Sequence, residues 1–465
     1  MKPPLRQRLH TATSREHLAA VFARLFPSRS DRVVLALIVA VIIVGAVLRA
    51  HVIGTNNRIS TDEFGYALNA RAMLADKPIV TFKWAPGTSL MFAAAAILRG
   101  YSTLSIVTHS HGVAQYSQLF TEIVTLAVVA IIAWLLAGRW AALLAVALTA
   151  TYEPLIDVTR TYLSEPLGAL ALLAMVACAC LARRRGFYAL TLAGIVAGLA
   201  GLVREDLAIA VLVIMVALVI DRRARLRVGL ARALVYGIAA LATVAPYVVY
   251  ASLREHRFTP IVSAGPNALF IGTYLPGGGN LFFDEEFLHK QICHRFPMYC
   301  HLPAGDAQGM LALVQSWHPG DSEAAAAQAE AFHNLDKYML GQPIKFAHML
   351  WNKSWSMWSL PWSGGNAGKN GSLIHTPSVF QHQLYSIIAW LGMLGGLIFW
   401  RRWDFVVPVV ALLAMAWLNS FFSITPRDNL HFMPFVFLYG AIGLVMTLRW
   451  ALERGRRSRL APVPA

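Results

Sequence analysis

Long apolar runs separated by short arginine-rich segments recur along most of the chain. Runs of about 17–25 apolar residues can cross a bilayer as helices, and a helix satisfies its own backbone polar groups, as the hydrocarbon interior requires. Only 14% of the residues are charged, against roughly 25% in a soluble protein. Disorder would need low hydrophobicity, but 57% of the residues are hydrophobic. The sequence therefore predicts an all-α integral membrane protein.

The apolar runs predict about ten membrane-spanning helices, with long outer loops after the first span and before the last three. The predicted spans are 33–48, 117–136, 140–156, 165–181, 187–203, 207–220, 229–250, 384–400, 405–422 and 432–449. The corresponding division of the chain is a basic N-terminus (1–32), a transmembrane module (33–250) containing the first outer loop (51–113), a large outer loop (251–381), a C-terminal group of spans (382–449) and a basic tail (450–465).

The arginine clusters predict how the spans are oriented. They alternate with the spans so that every strongly basic cluster falls on one side of the membrane, as the positive-inside rule requires. Both termini are then expected in the cytoplasm and both long loops on the outer face. The net charge of +16 would by itself suit nucleic acid binding, but its placement between apolar runs argues against that function. The clusters lie at 139, 183–185, 222–227, 401–402 and 454–459.

The first outer loop carries conspicuous charges for so uncharged a chain. Asp62 and Glu63 are adjacent carboxylates soon after the first span, and Tyr66 follows them. Lys83 precedes an apolar stretch at 84–98, which is too short to span comfortably and is predicted to be an interfacial helix. A purely structural role is the alternative, because acidic residues favour the first turn of a helix and long cationic side chains snorkel to lipid headgroups.

Charged side chains mark two further outer corners. Arg204 is followed by two acidic residues at the end of a span, and Arg427, Asp428 and His431 precede the last span. Each could be an ordinary loop charge. A phosphate held at this interface needs Lys or Arg donors, and a hydroxyl made nucleophilic there needs a carboxylate base. Together with the first loop, these charges predict transfer chemistry on a lipid-linked phosphate.

The four cysteines fall into two groups. Cys178 and Cys180 lie within a predicted span, where we expect them to pack. Cys293 and Cys300 lie in the large outer loop, and an oxidising exterior would permit a disulfide between them. A metal site is the alternative, because His289, His294 and His301 lie nearby. No standard ligand spacing is matched, so we predict the disulfide and no metal.

Five segments in the same order resemble the GT-C glycosyltransferases, and most closely the bacterial branch of the protein O-mannosyltransferase family, which includes the lipid A aminoarabinose transferases. The segments are 62–100, 162–166, 198–205, 336–355 and 426–434. The chain departs from the family pattern at two positions. Glu205 stands where proline is usual, and Asp428 rather than tyrosine follows Arg427. These departures affect the expected roles of Arg204 and Arg427 more than that of Asp62.

The resemblance implies a GT-C-type bundle that transfers a sugar from a polyprenyl-phosphate-linked donor to an acceptor hydroxyl. Asp62 would be the general base, with Glu63 beside it in the catalytic centre. The residues expected to hold the phosphate or shape the substrate site are Tyr66, Lys83, Glu165, Arg204, Arg427 and His431. No cofactor or metal is implied. The acceptor could be a glycolipid, a glycan or a protein, and the site would face outwards from a bacterial cytoplasmic (inner) membrane.

Two other functions compete with this interpretation. A transporter or flippase of envelope lipids or glycans would place polar residues near the bilayer midplane and often contains inverted repeats. Here the predicted spans carry few charges and no repeat is visible. A non-enzymatic envelope assembly protein could keep the fold without activity, but Asp62 is retained. The long outer segments also fit a surface enzyme better than a transporter.

Overall fold

The computed structural model describes residues 28–55, 60–81, 83–101, 111–183, 185–221, 224–256, 258–262, 265–301, 307–362, 377–399 and 401–459. Within these residues the regular secondary structure is entirely helical. The first ten α-helices are α1 (Arg29–Val52), α2 (Thr61–Leu74), α3 (Pro86–Leu98), α4 (His111–Ala137), α5 (Arg139–Thr151), α6 (Glu153–Asp157), α7 (Glu165–Ala182), α8 (Phe187–Val203), α9 (Ala208–Val219) and α10 (Leu226–Glu255). The others are α11 (Gly265–Thr273), α12 (Leu281–Arg295), α13 (Gln308–Trp317), α14 (Glu323–Asn334), α15 (Pro343–Ser359), α16 (Pro377–Gly396), α17 (Trp403–Asn419) and α18 (Met433–Arg459).

Nine of the predicted spans each coincide with one helix, and the span 140–156 covers both α5 and α6. Six helices are long and apolar enough to cross a membrane: α1, α4, α7, α10, α16 and α18. Helix α5 with the bent segment after it would make a seventh, whereas α8 and α17 are apolar but shorter. The all-α membrane architecture predicted from the sequence is therefore confirmed, and the count of ten spans stays a prediction.

The predicted span 140–156 is corrected in one respect, because the chain bends by 60° between Thr151 and Glu153. The backbone groups freed by this break bond to α16 instead. Gln381 donates from Nε2 to the carbonyl oxygen of Thr151 at 2.8 Å and accepts from the backbone N–H of Glu153 at 2.9 Å. A break within a spanning segment needs such partners, since unsatisfied backbone groups are costly in an apolar setting. The break redirects the chain towards the start of α7.

A buried ion pair joins the helices on the N-terminal side of the bundle. Arg49, near the end of α1, donates from Nε to Glu122 of α4. Its other nitrogens donate to the carbonyl oxygens of Gly45, Thr149 and Ala150 at 2.9–3.1 Å. Arg49 is 1% exposed, so the pair is sealed from solvent. It fixes the end of α1, from which the first outer loop begins.

Close backbone contacts hold the C-terminal helices together. Gly392 of α16 lies against the backbone of Gly440 of α18, and a Cβ added at either glycine would overlap the other helix. Small residues allow such an approach, which is the usual way that helices pack in lipid. The 3₁₀ turn Pro426–Asn429 lies between α17 and α18. The packing of α18 thus helps to fix the position of this turn.

Helices α11 to α14, in the segment predicted to be the large outer loop, form a separate apolar core that includes Phe270, Ile292, Met310, Val314 and Ala327. Cys293 and Cys300 form the disulfide that the sequence predicted. His289 lies beside it, with Nε2 3.5 Å from Sγ of Cys293. Because the two thiols are bonded to each other, they are not available as thiolate ligands, which a metal site here would need.

Candidate functional site

Charged residues from five separate segments meet at one end of the bundle. The segments are the first turn of α2, the residues before α3, the first turn of α7, the residues after α8, and the 3₁₀ turn Pro426–Asn429. They bring together most of the charged residues singled out from the sequence, namely Asp62, Lys83, Glu165, Arg204, Arg427 and His431. This convergence could not be derived from the sequence, because the segments are up to several hundred residues apart.

Asp62 lies at the exposed edge of this cluster, between two cations. Its Oδ2 is 2.9 Å from Nη2 of Arg427, and its Oδ1 is 3.5 Å from Nζ of Lys83. Trp84 donates from Nε1 to the same Oδ1 at 3.2 Å. The side chains of Asp62, Lys83 and Arg427 are 25%, 40% and 28% exposed. A ligand arriving from solvent can therefore reach both the carboxylate and its cations.

The cations decide the protonation state of Asp62. Partial burial would raise its pKa, but the charges of Arg427 and Lys83 and the hydrogen bonds from Arg427 and Trp84 lower the pKa to about 2. The carboxylate is therefore ionised at neutral pH. A base with so low a pKa accepts a proton poorly, so in this arrangement Asp62 is available as an anion but weak as a base.

Glu165 forms the buried floor of the cluster and holds both arginines. Its side chain is 0% exposed, with Oε1 2.8 Å from Nε of Arg427 and 3.6 Å from Nη1 of Arg204. Arg427 thus contacts Glu165 through Nε and Asp62 through Nη2. Burial would lower the pKa of Arg427, but Glu165 and Asp62 raise it above its usual value. Glu165 therefore fixes the guanidinium on its buried side, and the more exposed Nη2 contacts Asp62.

Arg204 and His431 lie deeper in the cluster and share Asp206. Arg204 Nε is 3.2 Å from Oδ1 of Asp206, and His431 Nε2 is 3.1 Å from Oδ2. His431 is 0% exposed, and burial together with the charge of Arg204 lowers its pKa, which favours the neutral imidazole. Arg204 also donates to Oγ of Ser164 at 3.3 Å. These contacts indicate that Arg204 and His431 support the cluster from behind.

Glu63 and Tyr66 are buried rather than directed at the exposed edge. Glu63 accepts from the backbone N–H of Ser60 at 2.8 Å and from that of Tyr162 at 3.0 Å. The first contact completes a capping box at the start of α2. Tyr66 hydrogen-bonds Ser164, and burial raises its pKa to about 12, so the phenol is neutral. This geometry favours a positioning role for Glu63 over the catalytic role expected beside Asp62.

Trp84, Asp206 and Asp428 also belong to the cluster. The sequence pointed to the two aspartates only as charges at outer corners, with no role assigned, and did not point to Trp84. Trp84 packs flat on the backbone of α2, where a Cβ at Gly65 would overlap its ring. Asp428 lies 3.9 Å from Nη2 of Arg204 and caps its own turn by accepting from the backbone N–H of Thr425 at 2.8 Å. The proximity of Trp84 to Lys83 in sequence was the one available signal for it.

The segment that carries Lys83 is fixed from two sides. Asn69 of α2, which is fully buried, exchanges two hydrogen bonds of 2.8 and 2.9 Å with the backbone of Val80. Thr81 donates to Glu255 at the end of α10. These contacts anchor the chain immediately before Lys83 to two different helices. The cation is therefore held close to Asp62 by the backbone around it.

Helix α15 fixes the segment that carries Arg427. Lys353 of α15, 6% exposed, donates to the carbonyl oxygens of Gly272 at 2.7 Å and Phe422 at 2.8 Å. Asn429 donates to the carbonyl oxygen of Met357, also in α15, at 2.6 Å. Helix α15 therefore holds the turn Pro426–Asn429 at both of its ends.

No family model and no curated protein sequence matches the chain. Among solved structures, the apo form of an oligosaccharyltransferase from Archaeoglobus fulgidus matches 93% of this chain with a TM-score of 0.53 and 14% identity. The oligosaccharyltransferase AglB from the same organism, in complex with an inhibitory peptide and a dolichol-phosphate, matches 92% with a TM-score of 0.51 and 12% identity. This chain covers 52% of each of those chains, so it spans about half their length.

ArnT from Cupriavidus metallidurans, solved with undecaprenyl phosphate, matches 90% of this chain and 79% of its own at 16% identity. With a TM-score of 0.38, this match is too weak to support a conclusion about the fold. The likeness to the oligosaccharyltransferases, at 12–14% identity, concerns the fold alone. It shows that this chain shares the fold of these membrane enzymes over most of its length.

Proposed function

We propose that the protein is a membrane glycosyltransferase that moves a sugar from a polyprenyl-phosphate-linked donor to an acceptor hydroxyl, with Asp62 as the general base. One observation supports this most strongly. A partly exposed carboxylate lies between two partly exposed cations, Lys83 and Arg427, and these are the groups that such a transfer needs. The GT-C-type fold supports the same class of reaction. One solved relative of that fold is an oligosaccharyltransferase bound to a dolichol-phosphate.

The arrangement favours a mechanism in which the donor itself activates the base. The donor phosphate competes with Asp62 for Lys83 and for the outer edge of Arg427, because both cations bind phosphate oxygens as they bind carboxylate oxygens. Arg427 stays in place through Glu165. Once its cations turn to the phosphate, the pKa of Asp62 rises from about 2 and the carboxylate becomes a better base. As the pH is lowered, kcat should therefore begin to fall at a higher pH than kcat/KM does. If both fell at the same pH, the result would argue against this exchange.

In the transfer step, Asp62 takes the proton of the acceptor hydroxyl as its oxygen attacks the anomeric carbon. The bond between that carbon and the phosphate oxygen breaks, and polyprenyl phosphate leaves with its negative charge held by Lys83 and Arg427. A single displacement inverts the configuration at the anomeric carbon. Arg204 and His431, on the buried side of the cluster, hold Glu165 and Asp206 in position. The scheme requires no cofactor and no metal.

We place the cluster on the outer face of the cytoplasmic membrane, with both termini inside. The positive-inside pattern supports this orientation, because the basic segments near Arg225 and Arg402 lie at the opposite ends of the helices from the cluster. Reporter fusions at these two positions should report cytoplasm, and one at Gly320 should report the exterior. An exterior signal at either arginine would refute the orientation.

The function is tested with purified protein and a polyprenyl-phosphate sugar as donor. Asp62→Asn keeps the shape of the side chain and removes the basic oxygen, so the transfer rate should fall by about 10²–10⁴-fold while donor binding persists.

Lys83→Ala should weaken donor binding as well as turnover, because it removes a phosphate contact. Lys290→Ala, an exposed lysine of α12, is the matched control. Transfer by Asp62→Asn at near the parent rate would exclude Asp62 as the base and favour transport instead.

A further inference from the structure

Helix α15 lies across the outer ends of the C-terminal helices. Near its start, Phe346 packs on Phe421, two residues beyond α17, with ring centroids 6.2 Å apart. Near its end, Trp358 packs on Trp390 of α16 at 5.4 Å and on Phe432, just before α18, at 6.0 Å. An amphipathic helix that crosses the ends of spanning helices lies at the depth of the lipid headgroups.

The opposite face of α15 exposes large apolar side chains. Ile344, Trp351 and Trp355 are 85%, 66% and 64% exposed, and the two indoles stack with centroids 6.4 Å apart. Trp417 of the neighbouring α17 is 61% exposed. Tryptophan is enriched where a protein surface meets the membrane–water interface. Because the face continues directly from the spanning helices, its natural neighbour is the outer leaflet.

A groove of about 450 Å³ opens beside this face, between α15 and the turn that contains Leu275 and Gly278. Its remaining walls come from α15 and combine apolar with cationic or polar side chains, namely Ile344, Lys345, His348, Met349 and Asn352. Among the described residues, no acidic side chain lines it. The groove therefore offers an apolar channel with nitrogen donors on one side. That combination suits a molecule with one hydrocarbon part and one anionic part.

We propose that this groove and the exposed face of α15 bind an anionic lipid of the outer leaflet. Its phosphate would contact Lys345 and His348, and its hydrocarbon chain would lie over Ile344 towards Trp351 and Trp355. Asn352 is hydrogen-bonded to His348 Nδ1 at 3.3 Å, which orients the imidazole on the groove wall. The occupant is a bulk anionic phospholipid, because the groove opens beside a face that continues from the spanning helices and so meets the outer leaflet. The proposal is independent of the transfer activity proposed above.

The test uses full-length protein in nanodiscs of phosphatidylcholine that contain brominated phosphatidylglycerol, with tryptophan fluorescence as the readout. Quenching in the parent should shrink when Trp351→Phe and Trp355→Phe are combined, because these indoles would touch the brominated chains. Lys345→Gln with His348→Gln should lower the apparent affinity for brominated phosphatidylglycerol, measured as the mole fraction needed for half-maximal quenching, by about fivefold for the lost lysine contact. The same change should leave quenching by brominated phosphatidylcholine unaltered. Lys290→Gln, an exposed lysine outside the groove, controls for net charge.

Competition distinguishes the two sources of lipid. Displacement of the brominated lipid by a small mole fraction of undecaprenyl phosphate would overturn the proposal, because a polyprenyl phosphate would then be the preferred occupant. Displacement only by excess phosphatidylglycerol would identify bulk phospholipid. Unchanged quenching in the double tryptophan variant would show that a different occupant, such as a soluble glycan or a protein, covers the face. Equal quenching by both brominated lipids in the parent would refute the anionic selectivity.

Discussion

Two ionic clusters of this molecule are built from similar residues but differ in their access to solvent. Arg49 is buried with Glu122 and also donates to three backbone carbonyl groups. Asp62 and its cations are 25–40% exposed, and Arg427 serves two carboxylates at once. The first arrangement leaves no room for a ligand. In the second, a phosphate can replace one partner without unfolding anything.

The difference shows how burial separates a structural ion pair from a candidate site. Breaking a buried pair leaves a charge that nothing else neutralises, so such a pair resists exchange. Exposed pairs contribute roughly 0–1 kcal/mol and can exchange partners readily. The cluster around Asp62 contains one ion pair of each kind. The pair of Arg427 with Glu165, whose side chain is 0% exposed, is fixed, whereas its pair with Asp62, which is 25% exposed, can exchange. The following substitutions test this contrast, from the largest expected effect to the smallest.

Arg49→Met should have the largest effect on folding. It leaves Glu122 buried without its cation, so the free energy of unfolding should fall by about 3–5 kcal/mol. Thermal unfolding in mild detergent measures the loss. Arg99→Met, at an exposed arginine of the first outer loop, is the control and should cost little. Combining Arg49→Met with Glu122→Leu should recover part of the loss, since an apolar pair can replace a buried ionic one. A double variant less stable than Arg49→Met would contradict this account.

Lys353→Met should have the next largest effect, on both stability and the site. It leaves the carbonyl oxygens of Gly272 and Phe422 without their donor, which costs about 1–3 kcal/mol. Because Phe422 leads into the turn that carries Arg427, the KM for the donor should also rise. Lys290→Met, at an exposed lysine of α12, is the control and should change neither stability nor KM. A loss of stability with an unaltered KM would limit Lys353 to a role in the outer loop.

Gly65→Ala should disturb the site through Trp84. The added methyl group overlaps the indole, and overpacking of this kind costs about 1–3 kcal/mol. Displacement of Trp84 also removes its hydrogen bond to Asp62. The transfer rate should therefore fall more than donor binding does. Gly201→Ala, in a helix with ordinary space for a Cβ, is the control, and equal losses in both variants would rule out an effect through Trp84.

Much of the fold could be predicted from the sequence, because hydropathy and arginine placement act locally. The helices, the interfacial stretch that became α3, and the disulfide Cys293–Cys300 all follow from short segments. The break at Tyr152 could not be predicted, since its stability depends on Gln381, far along the chain. The pairing of Arg49 with Glu122 was missed for the same reason. Glu122 is the one charged residue in the predicted span 117–136, and its partner lies 73 residues earlier in the chain.

The candidate site divides in the same way. Asp62, Lys83 and Arg427 stood out because charges are rare in this sequence, and their meeting depends on tertiary packing. Asp206 was noticed only as one of the acidic residues after Arg204, and its contact with His431 required the structure. Glu63 is the instructive case. The Ser60–Glu63 spacing of a capping box was readable in the sequence, but the family resemblance implied a place in the catalytic centre instead.

Glu63→Gln should have the smallest effect, because the geometry assigns Glu63 to capping. A glutamine keeps one acceptor oxygen, so one of the contacts to the N–H groups of Ser60 and Tyr162 is lost, and stability should fall by about 0.5–2 kcal/mol. Ser60→Ala removes the other half of the same capping box and should cost a similar amount. Both variants should transfer sugar at rates far closer to the parent than Asp62→Asn does. If Glu63→Gln instead lost activity as severely as Asp62→Asn while Ser60→Ala stayed active, the capping role would be wrong. Glu63 would then be a second catalytic carboxylate beside Asp62. In that case burial alone would not separate the structural carboxylates of this molecule from those that act in transfer.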